Sequence, residues 1–224
     1  MNMILKTLVG SRAHGLHNDD SDYDYRGVFV QSTSELLSLN NKVRTTNWIE
    51  GKEDNTSYEL SHFLSLACRS NPAVLEVLVS PVIEETQEGK ELRELFPYVW
   101  NSHDVFNSFY GYSHNQKKKF VDNKDDRAKK YAVAAIRNMQ LGIELLQNGT
   151  MTVLVGCSDL YRFLLSIRAG EVTYGVILDH ILMCEENLKS AYNNNKHKMT
   201  DFDKVNEFLL NVRRNNLLME DCVK

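Results

Sequence analysis

The spacing of apolar and polar residues changes character near the middle of the chain. Over the first hundred residues it is short and mixed. Met3–Val9 (MILKTLV) is a compact apolar run stopped by Gly10, the profile of a buried strand. Asp22–Val30 (DYDYRGVFV), rich in aromatic and β-branched residues, predicts a second strand. Lys42–Glu50 predicts a third, with a turn at Gly51, and Asp54–Tyr58 a fourth. That fourth strand runs into a helix over Glu59–Arg69 that Asn71-Pro72 stops, and Ala73–Val79 reads as a further short helix.

Beyond Trp100 there are no prolines and the period becomes helical. Tyr131, Ala135, Ile136, Met139, Ile143 and Leu146 share one helix face that ends at Asn148-Gly149. Ile177, Ile181, Cys184, Leu188 and Tyr192 repeat the pattern, and Asp159–Ala169 and Asp201–Arg214 predict two more helices. The expected fold class is α+β: a small mixed sheet with flanking helices over residues 1–100, then a helical region over 101–224. No Gly, Pro or Ser linker marks the boundary.

Composition narrows the classes. Apolar residues make up 42% and charged residues 25%, as in ordinary globular proteins, so a packed core is affordable over 224 residues. Net charge is −4, which excludes a global basic field; any nucleic-acid contact must be local. The four cysteines (Cys68, Cys157, Cys184, Cys222) form no CxxC pair and are expected as reduced core residues rather than disulfides or zinc ligands. No apolar run approaches the ~18–20 residues that span a bilayer, and the N-terminus carries no signal-peptide cleavage pattern, so a cytoplasmic protein without membrane contact is expected.

The chemistry concentrates in LVGSRAHGLHNDDSDYDYRGVFV, residues 8–30. On a strand, Asp22 and Asp24 point to one face, roughly 6.6–6.8 Å apart along the chain. Carboxylates so placed repel unless a cation lies between them, and hard, oxygen-seeking ions such as Mg²⁺ suit them. Two such ions, about 3.5–4 Å apart, make a phosphoryl-transfer site. Gly10-Ser11 adds a turn whose N–H groups can hold phosphate oxygens, and Arg12 a forked cation suited to phosphate if it faces inward. Asp19 and Asp20 read as solvated turn residues. The cluster is no EF-hand: counted from Asp20 the sixth position is Tyr25, and counted from Asp22 the twelfth is Thr33.

In these residues the chain resembles the DNA polymerase β nucleotidyltransferase superfamily, whose signature is a Gly-Ser turn followed about ten residues later by Asp-x-Asp on the next strand. The longer form GSRAHGLHNDDSDYDYRGVFV is similar to the bacterial and phage branch that reads GSRA-x-GL, then SDxDxRG. The likeness continues softly through Tyr58–Leu78, Gly111–Phe120, Ala134–Gly149 and Leu164–Tyr174. It implies that Asp22 and Asp24 ligate two Mg²⁺ or Mn²⁺ ions and that Gly10 and Ser11 grip the phosphates of a nucleoside triphosphate such as ATP. A third carboxylate, from a later strand, is implied as metal ligand and activator of the acceptor hydroxyl. Asp54 is the expected one, with Glu59 as rival and Glu53 a weaker candidate.

Several residues carry weaker signals. His14 and His17 are expected to be substrate-side or surface residues rather than a zinc pair, and His62 stands where the branch often has lysine. The basic stretch Lys117–Lys130 with Arg137 reads either as a solvated helix face or as a contact for the triphosphate tail or an RNA acceptor. Tyr110 and Tyr112 read as base-stacking or core residues. The leading expectation is transfer of a nucleoside monophosphate from an NTP to an acceptor hydroxyl, with release of pyrophosphate. An RNA 3′ end is the favoured acceptor, a protein side chain next and a small molecule third. A nucleotide-binding regulatory module without turnover is the alternative class.

Overall fold

The computed structural model describes residues 2–39, 44–50, 53–123, 125–156 and 158–222. Five strands, β1 (Asn2–Val9), β2 (Tyr23–Val30), β3 (Thr45–Glu50), β4 (Glu53–Glu59) and β5 (Val82–Glu85), form one mixed sheet in the order β3-β4-β2-β1-β5. β1 and β2 are antiparallel, whereas β2 and β4 run parallel. The parallel pair is possible because the chain crosses over between them through α2 (Thr33–Leu37) and β3, after the single-turn helix α1 (Gly10–Ala13) between β1 and β2.

All four expected strands are present, with shifted ends. β2 starts at Tyr23, one residue later than expected: Asp24 is its first residue paired with β1, and Tyr23 pairs with Glu53 of β4. Of the third expected strand, Lys42 and Val43 lie outside the described residues. The fifth strand and the helix after it had no clear apolar period: Val82–Glu85 is short and exposed along most of its length.

Helices α3 (Leu60–Ala67), α4 (Pro72–Val79) and α5 (Gln87–Glu94) follow. The helix expected from Glu59 begins one residue later, since Glu59 is extended and its carboxylate caps the first turn by accepting from the Ser61 N–H. Asn71 caps α4 in the same way, with Pro72 in its first turn. Then come α6 (Ser102–Asp122), α7 (Arg127–Asn148), α8 (Asp159–Ala169), α9 (Tyr174–Asn193) and α10 (Phe202–Cys222). Left-handed Gly149 ends α7 where the sequence predicts.

α6, α7 and α9 pack together, and α10 returns to lie against α2 and α3. Buried apolar residues from Ile4 to Val212 form one continuous cluster running from the sheet into these helices. Cys68 and Cys184 are buried free thiols within it, and Cys157 lies outside the described residues. Among the described residues no helix is long and apolar enough to cross a membrane.

Candidate active site

Three neighbouring strands bring one row of groups together. Val9, the last residue of β1, pairs with Asp24 of β2, and Asp24 pairs with Asp54 of parallel β4. Residues in register on adjacent strands project to the same face, so the end of β1, Asp24 and Asp54 lie side by side. Gly10, next along from Val9, adopts φ +69°, and a Cβ there would collide with the Asp24 carboxylate. Only glycine brings the turn this close. The single turn of α1 is closed by Gly10 accepting from the His14 N–H (3.1 Å) and Ser11 from the Leu16 N–H (2.9 Å).

Negative charge at this end of the sheet is only partly balanced. Burial, opposed by Arg26 and reinforced by Asp54, Asp22 and Glu76, holds the Asp24 carboxyl above its ordinary range. Asp54 is 43% exposed, with Arg26 Nη1 3.8 Å from its Oδ1, while Asp22 is exposed at the mouth of β2. Arg26 was not assigned a role from sequence; two residues beyond Asp24, it shares that residue's face and moderates both acids.

This donor set suits a hard divalent cation. The nearby donors are carboxylate oxygens, and their mutual repulsion is what such an ion relieves. Among the described residues no three His, Cys, Asp or Glu side chains are already gathered around one point. Asp24 and Asp54 stand in register on adjacent strands, and Asp22 is close enough to act on Asp24 by charge.

The rival acids are placed elsewhere. Glu59 is buried, accepts from the Ser61 hydroxyl at 2.6 Å and is paired with Arg213 of α10. It sits five residues along β4 from Asp54, on the opposite face. Glu53 is in register with Tyr23 and so also faces away from Asp24.

Arg12 spends its fork inside the chain. Nε and Nη2 donate to the Ser21 carbonyl at 3.3 and 2.8 Å, and the guanidinium lies 3.9 Å over the Tyr23 ring. It braces the loop that delivers Asp22.

His14 differs from the surface or substrate-side residue expected. It is buried, and Nε2 donates to Glu76 Oε1 of α4 at 2.5 Å. Arg137 of α7, expected with the basic stretch as a solvated face or a phosphate contact, is instead drawn to Glu76 Oε2 at 3.2 Å. Burial alone would raise Glu76; Arg137 and the His14 hydrogen bond overcome it and hold the carboxyl at about 2. Burial lowers His14, so Arg137 is the cation of this trio and the imidazole is its neutral donor. The His14 carbonyl also accepts from the Val155 N–H at 3.3 Å. The Gly10–His14 segment is thus tied to α4, α7 and the segment after α7. A lone glutamate inside the apolar helix PAVLEVLV was the available sequence signal, since a buried charge demands a partner.

The rest of the basic stretch is divided. Lys117 pairs with Glu185 at 2.6 Å and Lys119 lies 5.5 Å over Tyr131. Lys129 and Lys130 instead line a surface groove with residues from α8. Tyr110 stacks on Phe106 and His114, whereas Tyr112 is exposed. His17 is exposed, and His62 is half-buried beside Tyr58.

Comparison with known proteins identifies the family. Residues 1–210 match the model of the RNA repair pathway DNA polymerase beta family, RlaP. The chain is 26% identical over 133 residues to an uncharacterized 38.9 kDa protein of the nrdC-mobD intergenic region of Enterobacteria phage T4 (54% of this chain, 39% of that protein). It is 27% identical over 125 residues to uncharacterized protein YcgL of Bacillus subtilis (54% of this chain, 48% of that protein). The matched region thus spans less than half the length of either relative. Among solved structures, a nucleotidyltransferase-like protein from Exiguobacterium sibiricum aligns over 96% of this chain and 74% of its own, at 12% identity and a TM-score of 0.30. With the family model covering nearly the whole chain, the protein belongs to the RNA repair pathway DNA polymerase beta family and so to the DNA polymerase beta-like nucleotidyltransferases.

Proposed function

We propose that the protein transfers a nucleoside monophosphate from an NTP to the 3′-hydroxyl of an RNA and releases pyrophosphate. Support comes chiefly from one observation: the Gly10 turn, Asp24 and Asp54 lie in a row across adjacent strands, with Asp24 pushed up by burial and like charge. The family description, with its RNA repair pathway, favours RNA over protein or small-molecule acceptors.

In this reading the N–H groups and hydroxyl at Gly10-Ser11 cup the β- and γ-phosphates, placing the α-phosphorus over the Asp24–Asp54 pair. Asp22, Asp24 and Asp54 would hold two Mg²⁺ or Mn²⁺ ions, which when bound neutralise the triphosphate and polarise the attacked phosphorus. Asp54, the more open of the row, accepts the proton of the acceptor hydroxyl. The acceptor oxygen bonds to the α-phosphorus as the bond to the bridging oxygen of the β-phosphate breaks, and that oxygen leaves with pyrophosphate. Arg26 steadies the acids and Arg12 the loop carrying Asp22. Residues 1–100 carry the transfer site, and 101–224 bind substrate.

Each labelled NTP is incubated with Mg²⁺ and RNA carrying a free or blocked 3′ end, and label and pyrophosphate are followed. Incorporation should need the free 3′-hydroxyl and vanish in Asp24→Ala and Asp54→Ala. Labelling equal in wild type and both variants, or stable label on protein alone, defeats the RNA reading.

A further inference from the structure

The loop leaving the Gly10-Ser11 turn borders a second feature. Leu16, His17 and Asn18 form one wall of a groove of about 490 Å³ whose other walls are the start of α7 (Lys129, Lys130, preceded by Asp126) and the end of α8 (Leu165, Arg168, Ala169). Three segments far apart in sequence thus set Lys129, Lys130 and Arg168 around one opening, with His17 at its rim.

The charge there is only partly balanced. Lys129 pairs with Asp126 at 3.0 Å. Arg168 Nη1 donates to the Leu16 carbonyl, a neutral acceptor that leaves its charge uncompensated. No acidic partner of Lys130 is found among the described residues. The groove is therefore net positive in a chain of net charge −4. Leu165, partly exposed, adds an apolar surface.

The groove adjoins the transfer site through a single hydrogen bond: the Leu16 N–H donates to the Ser11 carbonyl. Yet its cations belong to α7 and α8, not to the strands bearing the acids. A compact triphosphate fixed at Asp24 and Asp54 uses the turn itself; a longer polyanion can end at the acids and continue past Leu16. We propose that this groove binds the phosphodiester backbone of the acceptor RNA, upstream of its reacting 3′ end. The proposal rests on the RNA reading above.

Its test measures binding of a fluorescein-labelled single-stranded RNA of about 12 nucleotides to the full chain by anisotropy over a salt series, beside calorimetric binding of Mg·ATP. The double variant Lys129→Ala/Lys130→Ala should weaken RNA about tenfold and lower the slope of log affinity against log salt by about 1.4, two contacts at ~0.7 each. Mg·ATP affinity should stay as in wild type, and Lys129→Arg/Lys130→Arg should retain RNA binding. Equal RNA affinity and slope in wild type and the alanine variant overturns the groove, even where Asp24-dependent labelling of RNA persists. Loss of Mg·ATP binding in that variant also overturns it, by assigning the groove to the triphosphate. Loss of Asp24 dependence with groove binding intact overturns the transfer reading instead.

Discussion

Asp24 and Glu76 lie close enough to feel one another's charge, yet the fold treats them in opposite ways. Glu76 is buried between α4 and α7 and satisfied on both oxygens, by His14 and by Arg137. Glu59 is handled likewise, capped onto α3 and paired with Arg213. Asp24, Asp54 and Asp22 are instead set near one another with Arg26 as a partial counter-charge, so Asp24 is pushed up while Glu76 is pulled down. Acids that receive a full set of donors hold the fold; acids left to repel are poised for a ligand.

The largest expected effect breaks the satisfied side. Glu76→Ala strands Arg137 in the interior, a loss on the order of 3–5 kcal/mol for a broken buried pair, seen as a fall of roughly 6–20 °C in Tm by calorimetry. A Tm within a degree or so of wild type would mean the trio is not structural. Asp24→Ala should act in reverse. It should lower NMP transfer about 10²–10³-fold while Tm holds or rises, because one repelling charge is gone. A clear fall in Tm would remove the contrast between the two acids.

Gly10→Ala sharpens the comparison from the backbone. The left-handed φ costs an alanine about 1–2 kcal/mol, and its methyl group displaces the Asp24 carboxylate. Transfer should fall nearly as far as in Asp24→Ala, with a modest loss of Tm. Full activity in this variant would separate the turn from the acid row.

Two pH effects are smaller. The folded Asp24 carboxyl lies above its ordinary value, so between the two the folded chain holds a proton the unfolded chain has lost. Its contribution to stability falls as pH rises through that window, and protons compete with divalent ions for its oxygens below it. The Mg²⁺ concentration for half-maximal transfer or nucleotide binding should therefore rise as pH drops from neutral into the carboxylate range; Asp24→Asn should flatten that dependence in the binding titration. Glu76 has the opposite sign. With its carboxyl at about 2 against an ordinary 4.5, its stabilisation is complete above pH 4.5 and lost as pH falls through about 2. The Tm gap between wild type and Glu76→Gln should be constant near neutrality and close in acid; a gap that widens in acid contradicts the assignment.

Four strands and helices α7 to α10 were legible because each buries a face with its own period, and a local pattern reports a local need; α6, with polar and charged residues along much of its length, was not. Gly10, Asp24 and Asp54 were legible as candidates for a different reason: a Gly-Ser turn and alternating acids are short-range features. Glu76, Arg137 and Arg213 were not, since a charged side chain on a helix reads as solvated until something packs over it. The basic residues show this best. Lys117, Lys129, Lys130 and Arg137 look alike in sequence, but Lys117 found Glu185, Arg137 found Glu76, and Lys129 and Lys130 were left facing a groove with Arg168.

By itself, then, the order of residues determined four of the five strands, the α+β class, the helix stops such as Gly149 and the presence of a turn followed by paired acids. Only the tertiary structure decided that Asp54 rather than Glu59 stands in register with Asp24, that His14 turns inward, and which cations are spent and which remain open. Those outcomes depend on strand register and on which helices meet. Both are fixed by contacts between residues dozens of positions apart, whose energies no local spacing encodes.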